Sequence, residues 1–174
     1  MRYVRILAGL ALAAASPAPA EVKAVESGGF VVAFSATVSA SPPAVWAALI
    51  APGRWWDMTH SYSQDGANLT LDPTPGGCFC EKVPQAKGAV EHMRVVQIMP
   101  NRLLRLQGAL GPFQSMGVAG AMTWELKPSG SGTAVSLSYA LGGYMPGGGQ
   151  GYAPIVDQVI GGQFARLTAF VDKK

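Results

Sequence analysis

An α+β domain, with an antiparallel sheet closed off by one long C-terminal helix, is predicted by three features of the chain. Short apolar–polar alternations recur between Gly/Pro-rich breaks from Gly29 onward. A hairpin signal at Pro128 to Gly132 joins the last two of them, and the residues after Tyr152 switch to helical spacing. At 174 residues there is room for one domain, since single cores cover roughly 100–200 residues.

The first stretch, "MRYVRILAGLALAAASPAPA", reads as an export signal. Arg2 and Arg5 form a positive n-region, Ile6 to Ala15 an apolar run, and Ala18-Pro19-Ala20 a small-residue cleavage site. The apolar run is too short for a membrane span, which takes roughly 20 residues. The expected organisation is a signal peptide over 1–20 and a single domain over 21–174, in a periplasmic or secreted protein. Without Arg2 and Arg5 the 13 basic side chains fall to 11 against 10 acidic ones. No Lys/Arg cluster remains to follow a phosphate backbone, which argues against a nucleic-acid partner.

Along the expected mature chain, Glu21 to Ser27 reads as a loose leader. In "GFVVAFSATVS", Phe30, Val32, Phe34, Ala36 and Val38 fall at period two, a half-buried strand. Ser41 is placed to cap a helix whose first turn takes Pro42 and Pro43, where no intrahelical N–H bond is lost. Val45, Trp46, Leu49 and Ile50 follow at helical spacing until Pro52-Gly53, and Arg54 to about His60 reads as a second short helical piece. "ANLTLDPTPGGCFCEKV" gives two short strands hinged at Pro73 to Gly77, and "AVEHMRVVQIMPNRLLRLQGAL" two longer ones joined near Pro100-Asn101. In the last hairpin Met122, Trp124 and Leu126 share one face with Val135, Leu137, Tyr139 and Leu141 on its partner. "GGYMPGGGQG" reads as a flexible connection. In the helix that follows, Val156, Ile160, Phe164, Leu167 and Val171 form an apolar stripe. Gly161-Gly162 in its middle costs about 1 kcal/mol per glycine against alanine, which predicts close backbone contact or a bend there.

Four local signatures stand in order along Phe30 to Val171. They are "ATVSASPPAVWAALIAPGRWW", the Gly-Gly strand entry "PTPGGCFCEKV", "VVQIMPNRLLRL", and "WELKPSGSGTAVSLSYALGGY" with its P-x-G-x-G-T turn. Together they resemble the SRPBCC (START-like, Bet v 1-like) superfamily, and within it the branch related to the Hsp90-ATPase-activator homology domain. The resemblance implies a helix-grip fold: a curved antiparallel sheet wrapped around the long C-terminal helix, two short helices after strand 1, and a cavity between sheet and helix. It does not imply one activity, because the superfamily includes lipid carriers, hormone receptors, cyclases and co-chaperones. An exported chain would not meet the Hsp90 ATPase, so the pairing of signal and fold points to a ligand binder.

Groups able to carry chemistry are sparse. His60 and His92 are the only histidines, with no metal-ligand spacing between them, and each reads as a surface or edge residue. His60 is the one candidate acid or base if it reaches the cavity. Asp57, Asp65, Asp72, Glu81, Glu91, Glu125, Asp157 and Asp172 are scattered, and no Ser-His-Asp, phosphate-loop or nucleotide signature occurs. No catalytic residue, metal site or cofactor is therefore assigned. Cys78 and Cys80 share a strand face at a separation near the upper limit for a disulfide. Two thiols or a bridge packed in the sheet rank first, metal capture second and redox catalysis last. After the Pro-Gly break only one of Trp55 and Trp56 is expected to face the core easily, and Trp56 with Tyr62 is placed at the cavity mouth.

The expected function is the binding of a small apolar or amphipathic molecule. The expected lining is Trp56, Tyr62, Phe79, Leu104, Leu106, Met122, Trp124, Leu137, Tyr139, Tyr144 and Gln163, with the three tyrosines and Gln163 as polar tips. The Gly-rich "GALGPFQSMG" is expected over the cavity entrance. The rivals are a cyclase- or hydrolase-like enzyme using the same cavity, and a partner-binding module with a filled interior.

Overall fold

The computed structural model describes residues 21–173; the signal-peptide expectation for 1–20 lies outside the described residues. Period-two alternation forms strand β2 (Gly29–Val38), with Phe30, Val32, Phe34 and Val38 buried. Ahead of it, β1 (Glu21–Glu26) pairs antiparallel with β2, where a loose leader was expected. An irregularity in the register between Val22 and Ala24 breaks the alternation, so Val22 and Val25 both pack on the core.

Helix α1 (Pro42–Leu49) begins on its two prolines. Ser41 occupies the N-cap position but its side chain makes no capping bond. The expected second helical piece is two 3-10 turns, Pro52–Arg54 and Met58–His60. Six further strands follow: β3 (Leu69–Leu71), β4 (Cys78–Val83), β5 (Gly88–Met99), β6 (Leu103–Gly108), β7 (Val118–Ser129) and β8 (Gly132–Gly143). They form one curved, unclosed antiparallel sheet in the order β1-β2-β8-β7-β6-β5-β4-β3. Met122, Trp124 and Leu126 of β7 and Val135, Leu137, Tyr139 and Leu141 of β8 are buried on its inner face. Among the described residues no helix is long and apolar enough to cross a membrane.

Helix α2 (Gly149–Asp172) starts inside the run expected to be a flexible connection and packs against β1, β2 and α1. Its first residue must be small: a Cβ on Gly149 would lie 2.8 Å from the carbonyl oxygens of Glu26 and Gly29. Midway, a Cβ on Gly161 would sit 2.9 Å from the Phe34 ring, which explains the helix-weakening glycine as close contact. Just beyond, Phe164 stacks on Phe34 (5.8 Å between centroids) and on Trp124 (6.0 Å). The helix is thereby clamped to the sheet through its C-terminal half. Gly161→Leu is expected to loosen that clamp, costing about 1–3 kcal/mol by overpacking, read as a lower urea midpoint.

Candidate functional site

The loop after α1 sets one wall of the site. Both tryptophans are buried, because the 3-10 turn at Pro52 breaks the alternation that would have sent one outward. Trp55 packs edge-on against Trp124 and donates Nε1–H to the Ala48 carbonyl at 2.9 Å. Trp56 turns the other way, against Phe79 (5.5 Å). Helix α2 holds this loop from outside: Arg166 Nε donates to the Trp55 carbonyl (2.9 Å), and the Asp57 N–H donates to Gln163 Oε1 (2.8 Å).

Beneath the N-terminal half of α2 these walls leave a cavity of about 350 Å³. Ile155, Val156, Val159 and Ile160 border it from the helix, and Leu69, Phe79, His92 and Tyr139 from the sheet. Trp56 and the Thr59–Tyr62 segment form its third side. The fourth is Leu110 to Phe113, from the 3-10 turn Gly111–Ser115. That Gly-rich segment is thus a wall of the cavity, held by Phe113 against Phe30 and Tyr152.

A buried, hydrogen-bonded pair of Glu81 and His92 adjoins the apolar lining. Strand β5 has an extra residue where Phe79 faces Met93 and Cys80 faces Glu91; the unpaired residue between is His92. The bulge turns His92 inward beside Met93, so the histidine expected at the surface is only 7% exposed. There Nε2 meets Glu81 Oε2 at 2.9 Å. Glu81 is fully buried and also accepts from the backbone N–H groups of Tyr62 (3.2 Å) and Ser63. Burial by itself raises the Glu81 pKa, but the hydrogen bonds from Ser63, Tyr62 and His92 outweigh it and hold the group below its ordinary value. For His92, burial dominates over the attraction of Glu81 and lowers the pKa. At neutral pH the pair is therefore a carboxylate and an uncharged imidazole.

Both shifts act in one direction. The unfolded chain takes up protons at higher pH than the folded one, so stability is present above about pH 6.5 and drains as pH falls, first through His92 and then through Glu81. A lower thermal midpoint at pH 5 than at pH 7.5 is the expected result, measured in buffers of matched ionic strength.

The sequence model of the family described as "Activator of Hsp90 ATPase homolog 1-like protein" matches residues 39–170. The chain belongs to this family. Solved structures place the chain within the Bet v 1-like fold. Protein MLL2253 from Mesorhizobium loti is 18% identical at TM-score 0.59, the match covering 83% of this chain and 98% of that one. Ara h 8.0201 is 12% identical at TM-score 0.56, covering 84% and 100%. The Aha1 dimer protein from Colwellia psychrerythraea is 15% identical at TM-score 0.55, covering 82% and 96%. Among curated proteins none matches the sequence.

The expected lining residues separate into groups. Trp56, Tyr62, Phe79 and Tyr139 border the cavity. Leu104, Leu106, Met122 and Trp124 lie deeper, around a gap of only about 20 Å³, and so fill the core. Leu137 is buried in the core away from the cavity lining, and Gln163 is committed to Asp57. Tyr144 is 74% exposed beyond the end of β8 and does not border the cavity. His60 stands exposed at the rim. Sequence reasoning missed Glu81 and His92; the only available signal was a Glu and a His on neighbouring expected strands. Cys78 and Cys80 are joined in a disulfide on the face of β4 opposite Phe79 and Glu81. Among the described residues no group of three or more His, Cys, Asp or Glu side chains is placed to hold a metal ion.

Proposed function

We propose that this chain is an exported binding protein for a small apolar or amphipathic molecule, held in the cavity beneath the first half of α2. The observation that carries this reading is the space itself: about 350 Å³ with an apolar and aromatic lining, within the usual range of small-molecule sites, roughly 300–1,000 Å³. The family's fold is commonly a ligand-binding one. The same space weighs against a partner-binding module with a filled interior. Export is supported by the charged, apolar and small-residue succession of the first 20 residues.

Native mass spectrometry of the protein recovered from its own cell envelope tests both parts. The expected result is a chain beginning at Glu21 that carries a non-covalent small-molecule adduct. Val159→Trp, at a half-buried position on the cavity wall, is expected to abolish the adduct while the fold persists. A full-length chain would overturn export, and an adduct unaffected by Val159→Trp would overturn the assignment to this cavity.

A further inference from the structure

The polar points in the cavity constrain what the apolar molecule carries at its polar end. A carboxylate only accepts, so the bond between Glu81 and His92 requires the proton on Nε2. The neutral ring then leaves Nδ1 as a bare acceptor. Nδ1 has no hydrogen-bond partner among the described residues, and it is not among their fully enclosed unpartnered polar atoms. The ring that bears it is more than nine-tenths buried, lines the cavity, and is held between Tyr62 and Phe79. Tyr139 supplies the complementary point. Its hydroxyl oxygen accepts from the Leu110 N–H at 3.2 Å, and its own proton has no acceptor among the described residues. Burial raises the Tyr139 pKa far out of the physiological range, so that proton stays in place.

We propose that the cavity selects an uncharged ligand bearing a hydroxyl group, an alcohol or phenol, which donates its proton in a hydrogen bond to His92 Nδ1. A hydroxyl both donates and accepts, which matches one bare acceptor and one unspent donor. A carboxylate brings lone pairs only and adds a second negative charge near Glu81. The inference rests on the binding reading above and names the ligand class for that same site.

Four probes of one shape test it: naphthalene, 2-methoxynaphthalene, 2-naphthol and 2-naphthoate, titrated calorimetrically at pH 7.5 into the full domain. The expected order has 2-naphthol roughly tenfold tighter than 2-methoxynaphthalene, the ratio that one hydrogen bond supplies, and 2-naphthoate weaker than 2-naphthol. In His92→Phe the ratio of naphthol to methoxynaphthalene affinity is expected to fall to about one. Should that variant fail to fold, imidazole ¹⁵N spectra of the unaltered protein give the same answer: Nε2–H at rest, with the Nδ1 resonance moving on 2-naphthol and not on 2-methoxynaphthalene. If the two neutral bicycles bind but the hydroxyl brings no gain, or if naphthoate binds tightest, the hydroxyl assignment falls and the binding reading stands. If none of the four binds, both fall.

Discussion

Trp124→Ala is expected to cost about 3–5 kcal/mol of unfolding free energy, the range for deleting a large buried aromatic side chain. The indole is 2% exposed and sits where the sheet, helix α2 and the loop after α1 meet. It stacks on Phe164 of α2 and meets Trp55 edge-on, while its backbone pairs with Leu104 and Leu137 on the flanking strands. Truncation leaves a void that the small neighbouring gap enlarges instead of filling. Collapse is hindered because Phe164 is also fixed by Phe34, and Trp55 by its hydrogen bond to Ala48. Equilibrium urea unfolding would give the value directly. Trp124→Phe keeps an aromatic face toward Phe164 and should recover more than half of the loss.

Glu81→Gln should cost about 2–4 kcal/mol although the two side chains are nearly the same shape. The carboxylate receives three donors: the N–H groups of Tyr62 and Ser63 and the Nε2 of His92. An amide has one accepting oxygen, and its NH2 must then oppose at least one buried N–H, leaving donors unsatisfied. The variant carries a second signature. With the Glu81 carboxylate gone, the attraction that holds the His92 pKa up is lost, so the imidazole of the folded chain takes up its proton only at lower pH. Urea midpoints give the loss of stability, and an imidazole titration followed by NMR gives the His92 pKa, where a value equal to that of the unaltered protein would contradict the pairing with Glu81.

The elements that the sequence announces are those whose register is uninterrupted. The β7–β8 hairpin runs without a slip from Val118 opposite Gly143 to Ser129 opposite Gly132, and its alternation reads off directly. Strand β1 escapes notice because its register slips at Lys23, so Val22 and Val25 face inward three apart, among three charged residues suited to a sheet edge. The same physics hides the polar half of the cavity. Counting by two from Met93 and Val95 sends His92 outward, and only the bulge opposite Phe79 and Cys80 turns it toward Glu81. The start of α2 was hidden for another reason: Gly147 to Gly149 looks like slack in the chain, whereas Gly149 is the contact residue that lets the helix meet the β1–β2 turn. Cavity and core residues could not be separated either, since Phe79 and Leu106 alternate identically on their strands while α2 and the loop walls decide which one borders open space.

The bridge between Cys78 and Cys80 has a consequence for that hidden half. It draws the two Cα atoms to 5.3 Å, where an unconstrained strand would separate them by roughly 6.6 Å. A ring this small removes little freedom from the denatured chain, so global stability gains little from it. What it fixes is local contour: one strand is foreshortened beside the point where its neighbour carries a surplus residue. The bridge thus lies directly opposite the bulge that carries His92, on the other face of the sheet.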